Sequence, residues 1–132
     1  MSYDPRTLST PVYLALVDLR QNTPSPEVLK EQKNQAVELY HYLATWGLLR
    51  LKAEEALGQP GHQQMVRTFF VTLATLGNQP ALSTDQGLDH LLDLEASHYL
   101  GLTGLALQVA KEYSFWAASV YADIQGDHDD GV

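Results

Sequence analysis

Residues 91–121, which read LLDLEASHYLGLTGLALQVAKEYSFWAASVY, decide the fold. A helix turns by about 100° per residue, so this segment carries two adjoining apolar stripes and very little polar surface. One stripe consists of Leu102, Leu105, Val109, Trp116 and Val120, and the other of Tyr99, Ala106, Ala110, Tyr113, Ala117 and Tyr121. A helix of this kind must be surrounded by other helices or by a partner subunit.

Helix start and stop signals recur through the rest of the chain, and no segment alternates with the period of a β-strand. Thr10-Pro11 and Ser25-Pro26 each pair a capping residue with a proline at the first helical position. Gly47 marks a bend, and the pattern from Ser83 to Gln86 is typical of a capping box. The predicted helices are 10–21, 25–57, 62–76 and a last helical region that begins near residue 83.

These signals predict an all-α fold, a single-domain bundle of four to six helices with a long, largely buried C-terminal helix. The bundle spans residues 1–122, and residues 123–132 form an acidic, disordered tail. Two further apolar stripes complete the predicted core. They are Leu29, Ala36, Leu39, Tyr40, Leu43, Trp46 and Leu57 in the second helix, and Met65, Val66, Phe69, Phe70, Leu73 and Leu76 in the third.

The composition excludes several classes of function. The chain has 132 residues, 16 acids against 8 bases, a net charge of −8 and no cysteine, hence no disulfide, thiolate nucleophile or cysteine-bound zinc. The acidic balance argues against non-specific binding of a polyanion, although four aspartates of the tail supply half of the excess. The amino terminus lacks a secretory signal, and Lys111 and Glu112 interrupt the most apolar stretch. We therefore expect a cytoplasmic protein that does not span a membrane.

Two Glu-x-x-His motifs, Glu38 to His41 and Glu95 to His98, have the spacing by which helical bundles bind a pair of metal ions. The first motif falls on a polar arc and the second on an apolar arc, so we do not expect them to converge. The third helix also contains no acidic residue. We therefore expect His98 to be a buried histidine that is hydrogen-bonded to Glu95 or to a backbone carbonyl, with no metal, no cofactor and no enzyme active site.

The last helix has two further unusual features. Gly101 and Gly104 each cost about 1 kcal/mol relative to alanine, so either another backbone approaches closely there or the helix kinks between residues 100 and 105. Four aromatic side chains point in at least three directions, so one small domain can hardly bury them all. They are Tyr113, Phe115, Trp116 and Tyr121. Because interfaces favour aromatic residues and this segment offers only Lys111 as a cation, we predict protein–protein contact there.

Three segments share a pattern with a known family. The first is a long helix followed by a Gly-Leu step, LATWGLLRLK over 43–52, and the second is the apolar helix over 65–76. The third is LLDLEASHYLGLT over 91–103, which continues to the aromatic end Phe115-Trp116-Ala117. Together they resemble the small α-helical subunit of type III CRISPR effector complexes, in particular that of the Cmr branch, over about residues 31–121.

The resemblance implies a non-catalytic structural small subunit of an RNA-guided complex. Such subunits stack along the duplex of guide and target RNA, contact neighbouring subunits, and line a basic groove that the target strand follows. The residues assigned to phosphate contact are Arg50, Lys52 and Arg67, followed by Lys30 and Lys33. This chain departs from the family at residues 113–119, which lack the lysine or arginine often found beside the tryptophan. We therefore expect RNA binding within the assembled complex.

The alternative hypothesis is a helical adaptor that self-associates or binds one protein partner through residues 113–121, with no role in nucleic-acid binding. A di-metal carboxylate enzyme is the third hypothesis, and the placement of the two Glu-x-x-His motifs counts against it.

Overall fold

Six α-helices and one 3₁₀ turn make up most of residues 6–125, the part of the chain that this computed structural model describes. The helices are α1 (Arg6–Gln21), α2 (Pro26–Trp46), α3 (Leu48–Glu54), α4 (Pro60–Leu76), α5 (Gly87–Asp93) and α6 (Ala96–Val120), and the 3₁₀ turn is Pro80–Ser83. No strand occurs among these residues. The predicted all-α single-domain bundle with a long C-terminal helix is confirmed.

Helix α6 packs with one side against the bundle, most extensively against α2 and α1 and less against α4. Its buried residues are Leu102, Ala106, Val109, Ala110, Tyr113 and Ala117. The three alanines have small side chains, so neighbouring helices can approach α6 closely along this face. The Tyr113 stripe is therefore the core face, whereas Leu105, Trp116 and Val120 of the other stripe are only half-buried.

The Tyr113 side chain is fully buried and ties α6 to α4. Its hydroxyl donates to the Thr68 carbonyl at 3.2 Å and lies 2.5 Å from the Thr72 hydroxyl. Its ring meets Phe69 edge-on, with the ring centroids 5.8 Å apart. Burial raises the pKa of Tyr113 well above its ordinary value. The hydroxyl thus remains neutral and paired inside the core, which removes the cost of an unsatisfied buried polar group.

A buried amide on α2 joins three elements of the bundle near the end of α6. The Gln32 side chain is fully buried, and its amide nitrogen donates to Thr23 Oγ1 at 2.9 Å and to Gln64 Oε1 at 2.6 Å. Its carbonyl oxygen accepts a hydrogen bond from the Tyr121 hydroxyl at 2.8 Å. One side chain therefore joins the α1–α2 loop, α4 and the end of α6.

Two cations hold the residues that follow α6. Arg20 donates to both carboxylate oxygens of Asp123, at 2.5 and 2.6 Å, and these hydrogen bonds hold the pKa of Asp123 below its usual range. Lys33 Nζ donates to the Ile124 carbonyl at 2.6 Å. Asp123 and Ile124, the first two residues of the predicted tail, thus contact the bundle, and 126–132 lie outside the described residues.

Two predicted helix starts were wrong. Helix α1 already includes Arg6, so Pro11 lies inside it rather than at its first position. Leu8 is buried in the core, and this tertiary contact continues the helix across the proline. The predicted capping box is not formed either, because Thr84 Oγ1 accepts from the Gln86 amide within a turn and α5 begins at Gly87 without a side-chain cap.

The predicted bend at Gly47 is a complete break between α2 and α3. Gly47 has φ +90°, a left-handed conformation that favours glycine, so the helix direction changes there. The predicted Ser25 cap is confirmed, since the Ser25 hydroxyl accepts from the Val28 amide at 3.4 Å. Trp46 and Leu57 were wrongly predicted as core, because this break turns them outward to 53% and 58% exposure.

A second break divides residues 91–121, which were predicted to form one helix. Leu94 and Glu95 both have extended backbone conformations, which separate α5 from α6. Helix α6 is continuous through Gly101 and Gly104, and a Cβ at either glycine would have no atom within 4 Å. The predicted close backbone approach therefore does not occur at these glycines, and the helix is not interrupted between residues 100 and 105.

The close approach occurs at Gly61 instead. A Cβ at Gly61 would lie 2.4 Å from Glu31 Cβ and 2.6 Å from the Val28 carbonyl. The Gly61 amide also donates to Glu31 Oε1 at 2.9 Å. The absence of a side chain therefore allows the first turn of α4 to lie directly on α2.

We predict that Gly61→Ala lowers the free energy of unfolding by about 1–3 kcal/mol, because the new methyl group forces α4 away from α2. Gly101→Ala is the matched control, and it should raise the free energy of unfolding by about 0.5–1 kcal/mol since it removes a helix-interior glycine in open space. Urea denaturation measures both. An unchanged stability in Gly61→Ala would contradict the close contact.

Candidate interaction surfaces

Lys52, one of the residues predicted to contact phosphate, is buried and serves the fold. Its ammonium donates to the Leu82 carbonyl at 2.7 Å and to Glu55 Oε1 at 3.0 Å. It also lies 4.7 Å from the centroid of the Phe70 ring. Only 4% of its side chain is exposed, so a phosphate cannot reach it. The assignment of Lys52 to RNA contact was wrong, because the 3₁₀ turn folds over α3 and covers the lysine.

Lys33 is the second correction. It is 6% exposed, and its ammonium is engaged by the Ile124 carbonyl. Lys33 lies four residues after Leu29 and three before Ala36, on the buried stripe of α2. Its aliphatic stem can pack along this apolar surface while its ammonium group binds at the edge. Lys33 holds the end of the chain against α2 and is not available to RNA.

The other three candidate cations are exposed. The Arg50 guanidinium lies over the Trp46 ring, 4.3 Å from its centroid, which forms a cation–π pair at the α2–α3 break. Arg67 is exposed on α4. Lys30 lies in a shallow cleft beside Glu27 and Glu31, where the local charge is acidic. The five predicted residues therefore do not form one exposed basic surface.

Two of the four predicted interface aromatics are core residues. Tyr113 and Tyr121 are both fully buried, and the hydroxyls of both have hydrogen-bond partners inside the bundle. Burial raises the pKa of Tyr121 as it does that of Tyr113. Their assignment to a protein interface was wrong. Hydrogen-bond partners on α2 and α4 offset the free-energy cost of burying the two hydroxyls.

Phe115 and Trp116 do lie on the surface, where they join two residues of α1. We call this surface the aromatic face, and it consists of Tyr13, Leu14, Phe115 and Trp116. Phe115 is 66% exposed, Leu14 58% and Tyr13 41%, while Trp116 is half-buried. The Trp116 ring meets Tyr13 and Phe115 edge-on, with the ring centroids 5.5 and 5.0 Å apart. An open groove of about 470 Å³ runs along Trp116 between the two helices, within the size range of ligand pockets.

A half-buried acid, Glu112, fixes the geometry of the aromatic face. The Glu112 carboxylate accepts hydrogen bonds from the Ser9 hydroxyl and from Trp116 Nε1, the latter at 3.3 Å. These contacts tie α1 to α6 directly beneath the exposed rings and orient the indole. Preorganised aromatic side chains lose little conformational entropy on binding, which is typical of the central residues of protein interfaces.

Tyr13, Leu14 and Trp46 were not identified as surface candidates from the sequence. The signal for the first two is present, since Leu8, Val12 and Leu16 form the buried stripe of α1. Residues 13 and 14 are then about 100° and 200° away from Val12, on the outer arc. The sequence predicts a bend at Gly47, but periodicity alone does not show that Trp46 beside it is exposed to solvent.

Both Glu-x-x-His pairs lie in solvent. Glu38 and His41 are exposed, as predicted from their arc. His98 was wrongly expected to be buried, since the Glu95 and His98 side chains are 79% and 70% exposed and lie 3.7 Å apart. Within residues 6–125, no three histidine, aspartate or glutamate side chains come together in a way that could hold a metal ion.

Comparisons with protein-family models, with curated proteins and with solved structures find no match to this chain. Among the described helices, none is both long enough and apolar enough to cross a bilayer.

Replacement of a buried and of an exposed predicted phosphate ligand should affect stability differently. We expect Lys52→Ala to lower the free energy of unfolding by about 1–3 kcal/mol, since it leaves the Leu82 carbonyl unpaired and removes the packed stem. Arg67→Ala, an exposed cation on α4, should change it by less than about 0.5 kcal/mol. Chemical denaturation of both variants measures these changes. An equally small change in the free energy of unfolding for both would contradict the burial of Lys52.

Proposed function

We propose that this protein is a non-catalytic helical subunit of a larger assembly, and that the aromatic face is its main contact with a neighbouring protein. The observation that carries this proposal is the exposure of Phe115, Leu14 and Tyr13 around an indole held by Glu112. Aromatic residues are enriched at the centres of protein interfaces. The bundle accommodates two tyrosines in its core, so the exposure of these rings is not forced by lack of interior space.

We propose further that the assembly is an RNA-guided type III CRISPR effector complex of the cytoplasm. The support is the resemblance carried by residues 43–52, 65–76 and 91–103, together with a helical bundle that presents an uncovered apolar surface. Arg50 and Arg67 are the residues that would contact RNA phosphate, because both are exposed. In such a complex this subunit would supply mainly shape and protein contacts, because two of its predicted phosphate ligands, Lys33 and Lys52, are buried.

The second candidate is a protein adaptor with no nucleic-acid role. The net charge of −8 and the burial of Lys33 and Lys52 favour it, since phosphate binding depends on exposed lysine and arginine. An adaptor would use the same aromatic face, so the two candidates differ in RNA content rather than in the protein contact.

The experiment that separates the candidates is recovery of the tagged protein from its source cells, with mass spectrometry of proteins and sequencing of bound RNA. A multi-subunit complex that carries repeat-derived guide RNA supports the CRISPR proposal. A stable complex with proteins but no RNA supports the adaptor. Recovery of the protein alone, under conditions that preserve complexes, would overturn the proposed role as a subunit.

The same recovery tests the aromatic face. We predict that Phe115→Ala lowers the yield of co-purified proteins at least about tenfold, because removal of a central interface aromatic costs roughly 2 kcal/mol or more. Leu100→Ala is the matched control, since Leu100 lies on the same helix and is 68% exposed against 66% for Phe115. Equal yields from the two variants would remove the aromatic face from the proposal.

The RNA contact has its own prediction. Replacing Arg50 and Arg67 together with alanine should weaken binding of target RNA by the assembled complex and reduce the slope of log affinity against log salt by about 1–2. Lys111→Ala is the control, because Lys111 is an exposed cation outside the predicted set that lies over the Tyr40 ring. A titration over several salt concentrations measures both quantities. An unchanged slope in the double variant would exclude these arginines as phosphate ligands.

A further inference from the structure

Helix α5 presents two leucines to solvent that the bundle does not use. Leu88 is 37% exposed and Leu92 is 60% exposed. They are four residues apart, so they are neighbours on one side of the helix. Three exposed aspartates flank them, Asp85 before the helix and Asp89 and Asp93 within it. We call this surface, from Asp85 to Asp93, the α5 face.

The opposite side of α5 is firmly attached to the core. Leu91 is 2% exposed, and Gly87 lies so close to the buried Lys52 that a Cβ there would be 2.4 Å from Lys52 Cε. His90 Nε2 lies 2.7 Å from Gln79 Oε1 in the loop before the helix. Because α5 is held in this way, the two leucines are displayed on a preformed element and no folding is required before a partner binds.

The exposed carboxylates on the α5 face are all negative. The neighbouring helix α3 carries two cations, but Lys52 is buried and bonded to Glu55, and Arg50 lies over the Trp46 ring. Between Arg67 and Lys111 the chain contains no lysine and no arginine, whereas Asp85, Asp89, Asp93 and Glu95 are all exposed. Four like charges repel RNA phosphates and anionic lipid headgroups. A second copy of this chain would bring a net charge of −8 of its own. The negative electrostatic potential of this surface therefore favours a positively charged partner. The exposed leucines favour a partner that also has an apolar side.

We propose that the α5 face binds a basic amphipathic segment of another protein, whose apolar side chains cover Leu88 and Leu92 while its lysines or arginines meet Asp85, Asp89 and Asp93. This surface is separate from the aromatic face and differs from it in chemistry. Its charged groups select the charge of the partner and fix the partner's orientation. The binding does not depend on whether the assembly contains RNA.

A photo-crosslinking amino acid at position 92 tests the proposal in the source cells. The expected product joins this residue to a peptide of a different protein that combines apolar residues with several lysines or arginines. Crosslinks to a second copy, to RNA or to an acidic segment, or no crosslink at all, would overturn the proposal. The recovery experiment with Phe115→Ala reports on the other surface, so failure here and failure of the proposed subunit role are distinguishable.

Binding to a model peptide tests the chemistry directly. The probe is a fluorescent helical peptide of leucine and lysine, measured by anisotropy with the full chain at about 50 mM and about 300 mM salt. Asp89→Asn with Asp93→Asn should weaken binding at least about fivefold at low salt, and Leu92→Ala should weaken it at both salt concentrations. Circular dichroism confirms that each variant folds.

The chain offers matched controls for both changes. Leu57→Ala removes a leucine of 58% exposure against 60% for Leu92, and Glu27→Gln with Glu38→Gln removes two exposed acids of α2. These variants should bind the peptide as the unchanged protein does. Equal losses in the control and test variants would show only general attraction to an acidic protein and would overturn the assigned site.

Discussion

The structure depends on the burial of one side of α6 against α1, α2 and α4. Three alanines along this side leave space for the neighbouring helices, and Tyr113 fills the space opposite α4. Burial of each large apolar side chain contributes roughly 1.5–3 kcal/mol, so this contact supplies much of the favourable free energy of so small a domain. Helix α6 has a nearly continuous apolar circumference, but only one side of it is needed to close the core. The remaining apolar residues are displayed, and Phe115 is the most exposed of the rings on that side.

Charged and polar side chains inside the bundle determine which residues remain available at the surface. Lys52 fastens the 3₁₀ turn and α5, Lys33 and Arg20 fasten the segment after α6, and Gln32 joins three elements. A cation that is desolvated and engaged in this way must keep its partners, because an unpaired buried charge is very costly. These residues therefore serve stability, and the surface of the protein is less basic than the number of lysines suggests. Among the cations predicted to contact phosphate, Lys30, Arg50 and Arg67 are the ones exposed to solvent.

Two surfaces of different chemistry follow from this arrangement. The aromatic face joins α1 to α6 and is oriented by Glu112, whereas the α5 face is a rigid acidic element with two exposed leucines. Apolar aromatic contacts give affinity through desolvation, and a charged rim selects the sign of the partner and its orientation. A subunit with both kinds of surface can hold two neighbours that differ in charge. Such a division is what the proposed role in a multi-subunit assembly requires.

The sequence by itself determined the helical class, the core stripe of α4, the cap at Ser25 and the solvent arc of Glu38, because these follow from local propensity and helical periodicity. The tertiary structure alone decided that the bend predicted at Gly47 is a complete break, that a second break falls at Leu94–Glu95, which side of α6 faces the core, and which cations are buried. Periodicity gives the angle of a side chain about its own helix and carries no information about which other element will cover it. For that reason Lys52, Tyr121 and His98 were misplaced, since loops and helix ends that pack over or pull away from them are distant in sequence. The pairing of Tyr13 with Trp116 likewise joins residues about a hundred positions apart, and only the packing of α1 on α6 brings them together.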